Sequence, residues 1–232
     1  MNHSVRKHQA VQAVAKAVLV ELGPTLSADD TEQSIAVRAT EMMAKRGIDE
    51  TWYYACPALV LLGSRSCLSI SGRDYQPSGE SVGFFNLVTV DLSPMKDGVW
   101  GDCARSFAIE HGTYVLSPVD AAFRRGMEVE RLLHEAMRSF VKPKTSFDEL
   151  FEFANEEIHR HGFENLDFMG NVGHSIESTR DARRYIERSN NGLLGDIALF
   201  TFEPHIRQRG GSWGFKHENI YYFNGENRAV EL

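Results

Sequence analysis

Apolar residues recur at helical spacing near the N-terminus, where Val11, Val14, Val18 and Leu22 mark one side of a helix over about 5–22 that ends at Gly23-Pro24. A second helix is predicted from about Thr31 to Arg46, stopping at Gly47. Short apolar runs follow (WYYACPALVLL), then a polar loop (SGRDYQPSGESVG), then NLVTV, whose β-branched and apolar residues read as a strand. DCARSFAIE reads as its partner, with a Lys-Asp-Gly turn between the two. Pro118 opens a long helix to about Phe140, with Met127, Leu132, Leu133 and Met137 on its apolar side. Pro143 separates it from a helix introduced by Ser146-Phe-Asp-Glu149, a capping-box pattern, and closed by Gly162. A second hairpin is predicted in IALFTFEPHIRQRGGSWGFKHENIYYF, turning at Gly210-Gly211 because glycines supply the positive φ of a two-residue loop. Each half of the chain thus reads as two helices followed by a hairpin. No linker or low-complexity segment divides them, so residues 1–232 read as one domain with internal pseudo-symmetry.

The polar positions on the two hairpins are unusual. If the first loop is centred between Lys96 and Asp97, Asp91 and Asp102 stand opposite each other. Cross-strand partners bring their Cβ atoms to within ~5 Å, and like charges there are destabilising. A loop centred on Gly210-Gly211 sets Glu203 against Glu218 in the same way. VTVDL and LFTFEP have the composition of core strands, and buried carboxylates need counter-charge. No arginine or lysine stands at matching positions to neutralise all four. A pair of divalent cations would do so, since bridging carboxylates are the expected ligands of a two-metal site. Such sites usually include an imidazole, and His174 in the glycine-flanked loop GNVGHSIE is the candidate.

Composition narrows the partners. The formal net charge of −7 argues against a generic nucleic-acid or anionic-membrane binder. No apolar run is long enough to span a bilayer, and MNHSVRKHQAVQAVAKAV lacks a signal-peptide pattern. Cys56, Cys67 and Cys103 show no metal or redox spacing and suit free thiols in a reducing compartment, so a cytoplasmic location is expected.

These segments together resemble the creatinase, prolidase and methionine aminopeptidase superfamily. DLSPMKDGVWGDCARSF resembles its Asp-x-Gly…Gly-Tyr-x-x-Asp-x-Thr-Arg-Thr-Phe pattern, with Asp91 and Asp102 at metal-ligand positions. VGHSIE resembles Gly-His-Gly-Ile-Gly and puts His174 at the histidine ligand. FTFEPHI and GFKHENIYYF resemble Phe-Thr-Ile-Glu-Pro-Gly-Ile and Gly-Val-Arg-x-Glu-Asp-x-Val, with Glu203 and Glu218 as the remaining ligands. Thr31-Glu32, the helix pairs and Lys142-Pro143 also fall where the family has them. The resemblance implies an α+β pita-bread fold, a pseudo-twofold curved antiparallel sheet with helices on its outer face. It also implies two Mn, Fe, Co or Zn ions that activate water for attack on a peptide-like or small amide C–N bond. The separate N-terminal domain of prolidase-type enzymes has no counterpart, so the length resembles the methionine aminopeptidase end. A homodimer is an option, since dimers are common in the superfamily.

The pattern also departs from the family. Its peptidases place a histidine before the first acidic hairpin, where this chain has LGSRSCLSISGRDYQP, with Ile70, Ser71 or Tyr75 nearest. They place another seven residues after the histidine ligand, where this chain has Asp181, the candidate for a catalytic role at that position. A third, just before Gly-His, is replaced by Gly170 or Asn171. Such losses typically cost on the order of 100-fold or more in rate, so ordinary peptide hydrolysis comes into question. His205, two residues after Glu203, shares its strand face and can serve as an acid–base group or an extra ligand. The alternative is that Pro204 breaks the alternation and turns His205 to solvent. Lys216 shares a face with Glu218, stands where the family has arginine, and can hold a carboxylate or a substrate charge. His217 and Cys103 alternate to the opposite face and read as structural. The arginine run Arg180, Arg183, Arg184 and Arg188 reads first as a solvated face, with an anionic small substrate as the alternative. The functional expectation is an aminopeptidase- or prolidase-type metal hydrolase, with an iron-dependent, oxygen-using metalloenzyme of small-molecule metabolism as the alternative.

Overall fold

The computed structural model describes residues 3–232. Helices α1 (His3–Leu22) and α2 (Glu32–Ala44) come first, and Thr31 caps α2 in a reciprocal box with Ser34. Glu32 is fully buried at its start. It pairs with Arg65 and accepts the amides of Leu62 and Ser78, which fastens the polar loop to the helix. Strands β1 (Glu50–Thr51), β2 (Ala58–Leu62), β3 (Asn86–Leu92), β4 (Pro94–Lys96), β5 (Val99–Trp100), β6 (Cys103–Glu110) and β7 (Thr113–Val115) complete this half. The second half has α3 (Ala121–Phe140), α4 (Phe147–Arg160), β8 (Phe163–Asn165), β9 (Phe200–Phe202), β10 (His205–Gln208), β11 (Gly214–Lys216), β12 (Asn219–Phe223) and β13 (Ala229–Glu231).

Strands β2, β3, β6 and β7 form an antiparallel sheet in that order, and β8, β10, β11 and β9, β12, β13 make two short sheets in the second half. Period-2 alternation divides each strand between two surroundings. Val88, Val90, Leu92, Cys103, Phe107 and Ile109 pack with Val11, Val18, Ile35 and Ala39 of α1 and α2. Phe200, Phe202, Ile206 and Phe215 pack in a second core with Phe123, Leu133, Phe147 and Leu150 of α3 and α4. Asp91 on β3, and Asp102, Glu203 and Glu218 just beyond the strand ends, join neither core.

The predicted elements are present, with corrections at their edges. α3 starts at Ala121, not at Pro118, because the Asp120 carboxylate accepts the amides of Ala122 and Phe123 and caps it there. The Ser146–Glu149 capping box is formed as expected. The first hairpin slips by two residues from the expected register. Its turn is Asp97-Gly98, both at positive φ (52° and 73°), so Lys96 pairs with Val99 and Asp91 with Ala104. A slip of two preserves the face, so Asp91 and Asp102 still point the same way. The second hairpin keeps its expected register, with His205 opposite Lys216 and Phe202 opposite Asn219. Its ladder ends at the Arg207–Gly214 pair, so the loop is longer than two residues.

Candidate metal centre

The two hairpins are joined by one antiparallel bridge, Ala104 to Glu218, in which the Glu218 amide donates to the Ala104 carbonyl at 3.0 Å. With the registers above, Asp91, Ala104, Glu218 and Glu203 fall in one row across the strands. The next row runs through Ser106, Lys216 and His205, since the Ser106 hydroxyl accepts the Lys216 amide. Asp102 stands two residues from Ala104 on the same face.

Each carboxylate sits where its strand ladder is interrupted or next to that point. The buried Gln12 amide of α1 replaces the strand partner of Asp102, accepting its N–H at 2.8 Å and donating to its carbonyl at 2.7 Å. The Glu203 amide donates to the Val172 carbonyl at 2.9 Å, which ties the second hairpin to the loop carrying His174. That loop passes so close to β9 that a Cβ on Gly173 would lie 2.3 Å from the Thr201 carbonyl oxygen, so only glycine fits. The His174 amide donates to the Thr201 hydroxyl, and His174 Nδ1 lies 2.9 Å from the Ser175 carbonyl. A carbonyl only accepts, so Nδ1 carries a proton and Nε2 is the ring nitrogen left to face the site. Nε2 points at Asp102 (3.4 Å) and Glu203 (3.5 Å).

Donor atoms of Asp102, His174 and Glu218, all buried, lie within 4.8 Å of one another. That is close to the span of donors around a cation that takes N and O ligands at ~2.0–2.2 Å. Neither Glu218 carboxylate oxygen has a hydrogen-bond partner, although both are buried. A buried carboxylate without donors is costly unless a cation sits beside it, so this donor set fits a divalent metal ion. Burial and the carboxylates of Asp102, Glu203 and Asp91 push the Glu218 carboxyl well above its ordinary pKa. Burial likewise raises Asp102 to about 6, against the pull of His174.

Lys216, expected from its strand face to hold a carboxylate, lies among three of them. Its Nζ lies 2.6 Å from Asp91, 3.2 Å from Glu203 and 3.9 Å from Glu218. Burial works against the ammonium, but those three carboxylates hold its pKa well above the usual lysine value. Burial would raise the Glu203 carboxyl, yet Lys216 and His174 keep it below the ordinary range.

A cleft of about 390 Å³ opens onto Asp91, Asp102, His174 and Glu203. His205 lines it as well, so Pro204 does not break the alternation. His205 Nε2 donates to the Ser66 carbonyl at 2.6 Å, and burial with the nearby Lys216 charge pushes its pKa down to about 4. Asp181 is corrected: its side chain is 83% exposed, pairs with Arg180 and does not line the cleft. Tyr75 is a structural contact, bonded through its hydroxyl to the Val60 backbone. His217 and Cys103 lie off the site face, His217 against His134 of α3 and Cys103 beside Asn219.

Trp52, Tyr53 and Tyr185 line the cleft without being singled out in the sequence, whereas Arg183 stood there in the arginine run and Asn171 in place of a family histidine. Trp52, within an expected apolar run, stacks on Trp100 and meets the His174 ring edge-on at 5.7 Å. The Arg183 guanidinium lies over Trp52, Tyr53 and Tyr185. Arg180, Arg184 and Arg188 each pair with a carboxylate, whereas Arg183 has none among the described residues. The Asn171 side-chain oxygen is buried in the cleft without a partner. Nothing in local periodicity marks these residues, because loops separate them from the strands.

The sequence profile of metallopeptidase family M24 matches residues 6–224. The chain belongs to that family. This M24 member has the same pita-bread fold as an X-Pro aminopeptidase from Thermotoga maritima, at TM-score 0.81 and 19% identity over 98% of this chain and 60% of that one. A prolidase from Pyrococcus furiosus superposes at TM-score 0.81 with 18% identity, covering 100% of this chain and 64% of its own. A methionine aminopeptidase from Rickettsia prowazekii is matched over 98% of this chain and 96% of its own, at TM-score 0.75 and 13% identity. The chain thus spans about 60% of the length of the X-Pro aminopeptidase and prolidase structures. No curated protein matches it. No helix among the described residues is long and apolar enough to cross a membrane.

Proposed function

We propose that residues 1–232 act as one catalytic domain, a divalent-metal-dependent hydrolase of the aminopeptidase or prolidase type that cleaves a C–N bond in a short peptide-like or small amide substrate. The observation carrying this reading is the donor cluster of Asp102, His174 and Glu218, with both Glu218 oxygens buried and unpartnered at the edge of a cleft. Asp91 and Glu203 complete the set, which has donors enough for as many as two ions. A bound divalent ion supplies Lewis acidity for water activation and for polarising the scissile carbonyl.

The remaining roles belong to the chain's own groups. The Ser175 carbonyl holds His174 Nδ1–H, so Nε2 is the ring nitrogen left to face the site. Arg183 is held over the rings of Trp52 and Tyr185 and takes an anionic group of the substrate, for which a terminal carboxylate is the simplest candidate. The Asn171 oxygen accepts from a substrate N–H. His205 Nδ1 is the acid–base atom nearest in kind to the histidines the family uses, because Nε2–H is committed to Ser66.

The test is hydrolysis of a panel of dipeptides and small N-acyl amino acids by the chelated protein before and after Mn(II) is restored. Activity should appear only with metal. Arg183→Gln should raise KM about 10-fold or more for substrates with a free carboxylate and leave their amides unaffected, the scale of one charged hydrogen bond. Tight metal binding without turnover of any C–N substrate would sink the hydrolase reading. Substrate-dependent oxygen uptake by an iron-loaded form would replace it with the redox alternative.

A further inference from the structure

We propose that Lys216 stands in for one of the two cations that five such ligands would otherwise hold, so that the site takes a single divalent ion on Asp102, His174 and Glu218 and is completed by an ammonium. This inference rests on the metal-dependent reading above and specifies the form of its site.

The site face divides into two subsites. In one, the donor atoms of Asp102, His174 and Glu218 lie within 4.8 Å of one another, and both Glu218 oxygens lack a hydrogen bond. In the other, Lys216 Nζ sits among Asp91 at 2.6 Å, Glu203 at 3.2 Å and Glu218 at 3.9 Å. Backbone register brings the lysine there. Lys216 is held opposite His205 and anchored to Ser106 through its amide, while the small side chain of Ala104 lies between Asp91 and Glu218 in the adjoining row. The lysine therefore reaches over Ala104 to Asp91, whose carboxylate has no other cationic partner among the described residues.

Distance and charge point the same way. A metal ion shared by Asp91 and Glu203 would need oxygen distances of ~2.0–2.2 Å, in space where the ammonium already touches both carboxylates. The four carboxylates with one ammonium sum to −3. One divalent ion at the subsite of Asp102, His174 and Glu218 reduces this to −1. Lysine suits the substitution, since its head is a compact point charge that three carboxylates can surround. Lys216 does not line the cleft, so it is a positioning and charge-setting residue.

The experiment is Mn(II) titration of the apo chain of residues 1–232, read as bound metal per chain after desalting and as the low-temperature electron paramagnetic resonance spectrum at saturation. The wild type should bind about one ion and give the isolated six-line hyperfine signal. Lys216→Met, close in volume and uncharged, should bind about two and give the broadened spectrum of an exchange-coupled pair. Two ions in the wild type, or one ion in both proteins, would overturn the proposal while leaving the metal-dependent reading intact. Binding of no ion by either protein at millimolar Mn(II) would overturn both. If Lys216→Met fails to fold by circular dichroism, wild-type stoichiometry and spectrum still decide, because a coupled pair in the wild type is incompatible with an ammonium in the second subsite.

Discussion

The two acidic hairpins solve one problem in different ways. Each must expose a carboxylate residue from a strand and still satisfy the backbone groups released where the ladder is interrupted. Each carries a proline at the interruption, Pro94 after Ser93 and Pro204 after Glu203, which removes one donor from the ladder. The first hairpin repairs its gap with a side chain: the Gln12 amide takes both backbone groups of Asp102. The second uses main chain for both carboxylate residues' amides, Glu203 bonding to Val172 and Glu218 to Ala104, and adds one side chain, Arg105, which donates to the Glu218 carbonyl at 2.7 Å. The first hairpin is therefore pinned to its own helix. The second is pinned to the histidine loop and to the first hairpin, which draws candidate ligands distant in sequence into one cluster.

Removing the corner shared by both hairpins should have the largest effect. Glu218→Gln keeps the shape but removes the negative charge and leaves one neutral carbonyl oxygen, so metal binding and kcat should fall together by on the order of 100–1,000-fold. Metal titration and steady-state kinetics check this, and unchanged metal affinity would mean that the two hairpins do not share an ion.

Gln12→Leu separates the two modes of repair. It leaves a buried N–H and a buried carbonyl of Asp102 unpaired, at ~1–3 kcal/mol each, so roughly 2–6 kcal/mol of stability should be lost in denaturant titration. A loss under 1 kcal/mol would show that the gap in the first hairpin needs no side chain. Arg105→Met tests the second hairpin in the same way. Loosening the Glu218 backbone should weaken metal affinity by about 10–100-fold, the usual scale for groups that orient a ligand, with a smaller change in stability.

Effects should be smallest at the tips. Gly98→Ala forces a Cβ into a positive-φ turn (73°) and should cost about 1 kcal/mol with unchanged metal binding. Gly210→Ala at φ 74° should cost a similar amount or less, since the second ladder ends before its tip. A metal-binding defect from either tip would mean that register is set at the turns and not by the core.

Much of this was legible in the chain. Helical spacing, the Ser146–Glu149 box and the alternation of VTVDL and LFTFE fixed which residues face the helices and which face the site. Strand faces depend only on period 2, so even the two-residue slip at Asp97-Gly98 left Asp91 and Asp102 on the expected side. His205 shared the Glu203 face for the same reason, and His217 and Cys103 turned away. Local periodicity, caps and turn chemistry act over a few residues, so a sequence carries them openly.

Only the tertiary structure decided what meets what across the chain. Lys216 finds Asp91 125 positions away, and Gln12 finds Asp102 90 positions away. Asp181 stood at a spacing that suggested the site, yet a short turn carries it into solvent, while Arg183 two residues later is laid on an aromatic wall. These pairings depend on how two hairpins and three loops pack together. Long-range electrostatics and burial set them, and neither has a local signature in sequence.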